Sequence, residues 1–233
     1  MLLSKNEDKV CGELRKRGFV VFKVKDLQKL LEMDKTKAYN IIKALKKKKV
    51  IKKMKNFLAF ADEEDFAVGN SIHYPSYISF WTALSYYGWS DQNPRVIFLA
   101  TTRYKKQVES FKYVTLAKKR FFGYRKEGKF AIAEKVKAII DSLLLPKYSG
   151  GIREIRKCLE NAFAEINKEK LIEYAGKIGS KAVMRRLGYF LNNLGYKQTG
   201  KLKKKMGSGY ELLDPSLKRK YICDKEWLLD VNE

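Results

Sequence analysis

The sequence predicts an α+β fold in two parts, a helical unit closed by two short strands over residues 1–67 and a larger unit, with a small mixed sheet and several helices, over residues 72–233. Three observations predict it. Apolar residues recur at helical spacing from Val10 to Leu45, two apolar runs bracket a basic tip between Val50 and Phe60, and from residue 95 strand-like runs precede four helical ones. With 233 residues and 45% hydrophobic content the chain can fill real cores, which argues against disorder.

Val10, Leu14 and the following Phe19 place the first helix at about residues 7–18, with Gly18 as its stop. "VVFKVKDLQKLLEM" reads as a short extended run and then a helix with Leu27, Leu30 and Leu31 on one face. After Met33 and Asp34, a third helix turns Ala38, Ile41, Ile42 and Leu45 inward at i, i+3, i+4 and i+7, leaving Lys37, Tyr39, Asn40, Lys43, Lys46 and Lys47 on other faces. In "VIKKMKNFLAF", Val50, Ile51, Leu58 and Phe60 bracket "KKMKN", which suits two strands with a basic tip. Helix, helix, tight turn, helix and two-stranded wing is the order of a winged helix-turn-helix. The acids of "DEEDF", residues 62–66, close this unit, and "AVGNSIHYPS" reads as a connection. Those acids cap a helix, solvate a linker, or sit beside the basic tip and tune its affinity.

In the second unit "YISFWTALSYYGWSDQNP" reads as helical up to Gly88, "RVIFLATT" as a buried strand, and "KYVTLAKKRFFGYRKEGKFAIA" as two or three further strands. Four helices are expected at about 134–144, 151–164, 168–177 and 181–194, the last opened by Ser180 as N-cap. Val183, Leu187, Leu191 and Leu194 keep one apolar face of that helix, which leaves Arg185, Arg186 and Tyr189 pointing elsewhere, as a second basic surface. The alternative ties Arg186 to a neighbouring acid such as Glu173. "KLKKK", residues 201–205, reads as a mobile loop, and "GYELLDPS" and "YICDKEWLLDV" as strands.

Fifty Lys and Arg against 26 Asp and Glu give a formal charge of +24. Such a surplus favours a polyanionic partner through counterion release, nucleic acid first and anionic lipid second. In the helix-turn-helix reading the third helix enters the major groove, so Thr36, Lys37, Tyr39, Asn40 and Lys43 are the expected DNA contacts there; Asn pairs with adenine and Lys with guanine. Lys52, Lys53, Lys55 and Asn56 belong to the hairpin tip, where they meet phosphates and position the unit. Residues 100–137 and 177–205, each carrying a net +9, are expected to add non-specific contact.

No run of 18 apolar residues occurs, and the first residues meet charge at Lys5, so neither a membrane span nor a signal peptide is expected, and the protein is expected to be cytoplasmic. Cys11, Cys158 and Cys223 are too far apart for a CxxC unit and are expected to be small buried hydrophobes. The only histidine is His73, and no phosphate loop, GxSxG or HExxH occurs, so no metal, cofactor or catalytic residue is expected. Glu127, Gly128 and Lys129 make an E-x-K fragment of the kind found in metal-dependent nucleases, the main alternative alongside general nucleic-acid binding.

Three stretches, in this order and spacing, carry a family resemblance: "YISFWTALSYYGWSDQNP" through Trp81, Ala83, Leu84, Tyr86, Gly88 and Gln92; "AEKVKAIIDSLLLPKYSGGIREI" through Glu134, Asp141, Pro146, Gly150 and Gly151; and "LIEYAGKIGSKAVMRRLGYFLNNLG" through Tyr174, Ala175, Arg186, Leu187 and Gly188. With the winged-helix start, the chain resembles the AbiEi-type antitoxins of type IV toxin-antitoxin systems, transcriptional regulators of viral defence. The resemblance implies an N-terminal domain that represses its own operon by binding double-stranded DNA. It also implies a C-terminal domain that counters a nucleotidyltransferase-like toxin without a stable complex, for which Arg185, Arg186 and Tyr189, within the stretch most like the family, are the expected antitoxin surface. Most of these motif residues read as core or as backbone turns; Glu134 and Asp141, seven apart on one helix, read as paired acids or as ordinary helix charges. The family has a Gly before the aromatic at Trp81 and a His near Tyr87, where Phe80 and Tyr87 stand here.

Overall fold

A computed structural model describes residues 2–233 and is α+β, with ten α-helices and three small sheets among these residues. The chain opens with α1 (Lys5–Lys16), whose first turn is closed by Ser4 and Glu7 bonding each other's backbone N–H groups. Gly18, at φ 72°, ends it. Then come β1 (Val21–Phe22), α2 (Val24–Leu31) and α3 (Lys35–Lys47), the last two separated by a tight turn in which Glu32 is left-handed and the Asp34 carboxylate caps α3 by accepting from the Lys37 N–H at 2.8 Å. Ala38, Ile41, Ile42 and Leu45 are all buried, in a small core with Val10, Leu14, Leu27 and Phe60. β2 (Ile51–Met54) and β3 (Phe57–Phe60) form an antiparallel hairpin, extended by β1 on the far side of β3.

The expected connection after residue 66 is instead a helix, α4 (Asp65–Ile72). Its small residues allow close packing: a Cβ on Gly69 would come within 2.8 Å of the Phe111 ring. The second core is larger and continuous, and it takes in Val20, Met54 and Ala59 from the first unit. It is organised by a five-stranded mixed sheet in the order β6-β5-β4-β8-β7, comprising β4 (Ser76–Ile78), β5 (Ile97–Thr101), β6 (Phe111–Thr115), β7 (Tyr124–Glu127) and β8 (Phe130–Ala133). Tyr77 and Ile78, expected to be helical, thus lie with Ser76 in a central strand, and the helix that follows, α5, is only Phe80–Tyr86. Phe80 is fully buried with φ 55°, a left-handed backbone that Gly adopts without strain and Phe does not.

The four expected helices are present as α6 (Lys135–Leu144), α7 (Ile152–Ala162), α8 (Lys168–Ile178) and α9 (Lys181–Asn193), with the Ser180 hydroxyl accepting from the Val183 N–H. α6 packs against α5, α7, α8 and α9. Residues 201–205 are not a loop throughout: α10 (Gly200–Lys203) buries Leu202. The chain ends in a sheet of two-residue strands, β9 (Glu211–Leu212), β10 (Cys223–Asp224) and β11 (Leu229–Asp230). It lies over α9, where the Trp227 ring fills the space above Gly188 so closely that a Cβ there would fall 2.0 Å from it. Cys11 and Cys158 are buried, but Cys223 is exposed on its edge strand. Among the described residues no helix is long and apolar enough to cross a membrane.

Candidate nucleic-acid interface

Helical periodicity decides what α3 presents. With Ala38, Ile41, Ile42 and Leu45 inward, Thr36, Asn40, Lys43 and Lys47 fall on the opposite stripe, and Tyr39 and Lys46 lean to one side of it. That side faces the β2–β3 hairpin across a groove of about 530 Å³. Lys23, Lys43, Lys46, Lys53 and Lys55 line it together with Tyr39, Asn56 and Phe57, and no acidic residue does. Phe57 forms part of the wall, with the Lys23 ammonium 5.0 Å from its ring centroid. Tyr39 stays half exposed, at 51%.

The structure therefore gathers five of the nine expected contacts, Tyr39, Lys43, Lys53, Lys55 and Asn56, around one groove. Thr36 and Asn40 are exposed on the adjoining outward stripe. Two residues are placed differently. Lys37 lies to the other side of α3, in a cleft with Asn6, Glu32 and Asp34. Lys52 is not at the hairpin tip, because the turn comprises only Lys55 and Asn56 and successive strand residues alternate faces. Lys53 accordingly reaches the groove, while Lys52 points to the back and pairs with Asp65 at 2.8 Å. The periodicity that exposes Lys43 exposes Lys46 equally. Lys23 and Phe57 carry no local signal, since only the tertiary fold brings them beside α3.

None of the acids of residues 62–65 lines the groove; three of them cross-link elements instead. Asp62 pairs with Arg15 at 2.7 Å, which holds its carboxyl below the usual range; Glu63 pairs with Lys129 at 2.7 Å, and Asp65 with Lys52. Glu64 stands at the N-cap position of α4 without a side-chain cap bond.

The expected second basic surface on α9 does not exist as such. Arg185 and Arg186 are 1% and 4% exposed, and Tyr189 is partly buried against the core. The Arg186 guanidinium donates to the carbonyl oxygens of Leu143, Leu212 and Leu213 at 2.9–3.0 Å, with no bond to Glu173. Arg185 donates to the Ser208 carbonyl at 2.8 Å. The physical reason is that residues 206–214 and Trp227 fold over the face of α9 opposite its leucines. Of the other cations in 177–205, Lys203 is paired with Glu226 at 2.6 Å, while Lys177, Lys201 and Lys205 line a groove of about 780 Å³ with Glu169 and Glu173.

Glu134 and Asp141 are not a carboxylate pair. Glu134 stands at the N-cap position of α6 without a side-chain cap bond; it accepts from Tyr174 Oη at 2.8 Å and pairs with Lys170 at 2.8 Å, and Lys170 holds its carboxyl below the usual range. Asp141 is fully buried with Lys137, Tyr77 and Ser79. Sequence does not reveal this cluster, because Tyr77 and Ser79 belong to a segment far in sequence from α6. In the E-x-K fragment, Glu127 pairs with Arg125 at 2.8 Å, Gly128 turns the β7–β8 hairpin, and Lys129 pairs with Glu63. Among the described residues no group of three or more His, Cys, Asp or Glu is placed to hold a metal ion.

No protein-family model matches the chain. No curated protein matches it either. Among solved structures the chain is similar to the crystal structure of the RV2827C protein from Mycobacterium tuberculosis, with 13% identity and a TM-score of 0.67 over 97% of this chain and 92% of that one, a likeness of fold alone.

Proposed function

We propose that the chain is a sequence-specific DNA-binding regulator whose first unit is a winged helix-turn-helix, with α3 as the reading helix and β2–β3 as the wing. The observation that carries this reading is the groove between them, lined by five lysines and no acid, beside an outward stripe of Thr36, Asn40 and Lys43. An α-helix fits the major groove of B-DNA edge-on, where Asn40 and Lys43 can donate to base edges. Lys53, Lys55 and Asn56 then meet the neighbouring backbone, which fixes register without reading sequence. The unit so described ends near residue 67, and the remainder, from about residue 72, forms the second domain.

The biological setting rests on the resemblance to AbiEi-type antitoxins. In that setting the chain represses its own operon in the cytoplasm and counters a nucleotidyltransferase-like toxin without binding it stably, working by binding and not by catalysis. No antitoxin residue is assigned, because Arg185 and Arg186 are interior.

Repeated selection of the full chain on random-sequence duplexes tests the DNA reading. Enrichment of one motif, with affinity falling steeply as salt rises, is the expected result. No enrichment and no duplex binding at low salt would overturn it. Co-expression with a nucleotidyltransferase-like toxin encoded beside the chain tests the second part: growth should be restored without co-purification, and failure to restore growth refutes the antitoxin role.

A further inference from the structure

Between β5 and β6 the chain leaves the sheet as a loop, residues 102–110, that ends at the tip of the β2–β3 hairpin. Two contacts join them. The Lys55 backbone N–H donates to the Glu109 carboxylate at 3.0 Å, and the Lys105 ammonium lies 5.6 Å from the centroid of Phe57, the aromatic wall of the groove. The loop is anchored at both ends. At its start His73 Nε2 stands 3.0 Å from the Arg103 carbonyl oxygen, and the Arg103 N–H donates to Thr101 Oγ1 at 3.3 Å. At its end buried Val108 bridges to Phe111, and the Gln107 amide donates to the Glu109 carbonyl at 2.9 Å.

What the anchors leave free is a short basic projection. Arg103 and Lys106 are exposed, Tyr104 is 81% exposed between them, and among the described residues no acidic group lies within ion-pair distance of Arg103, Lys105 or Lys106. A loose solvated loop needs neither a carboxylate clamped on a hairpin tip nor anchors at both ends. We propose that residues 103–106 form a second DNA-contacting finger that continues the α3–hairpin groove along the duplex. Arg103 and Lys106 take phosphates, and Tyr104 packs its ring on the sugar edge between them. Glu109 is a positioning residue. Its charge beside a phosphate-contacting tip opposes DNA, so its benefit is to fix the finger to the wing. Continuity with a groove whose charged residues are all cations, and the absence of an acid among residues 103–106, favour a nucleic-acid backbone over a protein partner. The inference rests on the proposal that α3 and the hairpin bind duplex DNA.

The probe is a duplex carrying the motif selected as above, bound to the full chain and read by hydroxyl-radical footprinting and salt titration. The Arg103→Ala, Lys106→Ala variant should lose protection of the backbone on the hairpin side of the motif and keep protection at α3. Its log–log salt slope should fall by about 2, one for each phosphate that is no longer neutralised. Tyr104→Ala, which alters no charge, should weaken the same flank with the slope unchanged. Glu109→Gln keeps an acceptor for the Lys55 N–H and should keep the flank with tighter binding, whereas Glu109→Ala should blur it. A parent that binds while the double variant and Tyr104→Ala both give its footprint and slope overturns the finger alone. A parent that selects no motif overturns the DNA reading and the finger with it.

Discussion

Lys137 and Asp141 stand one turn apart on α6 as an ion pair in which neither side chain is exposed at all. Asp141 also accepts from Tyr77 Oη at 3.0 Å and from the Ser79 hydroxyl at 2.8 Å, so the pair ties the middle helix to the central strand and the start of α5. The Lys137 ammonium donates to Tyr77 Oη at 2.9 Å and lies 5.1 Å from the Phe122 ring centroid. Burial pushes the lysine below its ordinary range and the Tyr77 hydroxyl well above its own.

The two halves of this pair are unequal, and that gives a prediction. Asp141→Leu strands a buried ammonium and two hydroxyl donors, and should cost about 3–5 kcal/mol of folding stability. Lys137→Met leaves Asp141 with two neutral donors and should cost clearly less. Urea denaturation of both variants checks the order; equal losses would show that the carboxylate is not the hub.

Base reading and backbone contact should separate on the first unit. Asn40→Ala should lose about 1–3 kcal/mol on the selected duplex and nothing on random DNA. Lys53→Ala should weaken all duplexes alike and flatten the salt slope by about 1. Competition titrations measure both, and an equal loss for Asn40→Ala on specific and random DNA argues against α3 as the reading helix.

Arg186→Ala should unfold the C-terminal end of the chain before it affects anything else. Three carbonyl acceptors, two of them buried, lose their donor together, at about 1–3 kcal/mol for each buried one where no water replaces it. Early melting, with the loss of stability carried by residues around Leu143 and Leu213 in hydrogen exchange, is the expected result. A variant as stable as the parent would mean that the carbonyls find other partners.

Acid should destabilise the fold through identified carboxylates. Glu7 is held below its ordinary range by the Lys48 ammonium, Glu134 by Lys170, and Glu165 by Lys135. Each folded-state value lies below the unfolded one, so the folded chain binds fewer protons. The stability is present above the unfolded carboxylate pKa of about 4.3 and is lost as pH falls through the folded values. Melting temperature should thus stay level from neutral pH to about pH 5 and drop below about pH 4. Combining Glu7→Gln with Glu134→Gln should shrink that drop, and an undiminished drop assigns it to other groups.

Whatever a single helix or hairpin can settle is legible in the amino-acid order. The apolar residues of α3 at i, i+3, i+4 and i+7 are all buried, Asp34 and Ser180 cap the helices they precede, Gly18 stops α1, and all four helices from residue 135 lie within two residues of their expected bounds. In each case the cause lies within a few residues of the effect. Other features depend on packing between distant segments. Residues 67–72 read as a linker because Gly69, Asn70 and Ser71 give the same signal in a flexible segment and in a helix whose Gly69 is pressed against a phenylalanine ring. Lys52 and Lys53 are chemically alike, and strand alternation together with the position of Asp65 sends one to the back and the other to the groove. Arg185 and Arg186 lie off the leucine face of α9 and are still almost wholly buried, because chain from beyond residue 205 closes over them with carbonyl oxygens. Helical periodicity reports only one contact face of a helix, and whether a second face is covered depends on a segment distant in sequence.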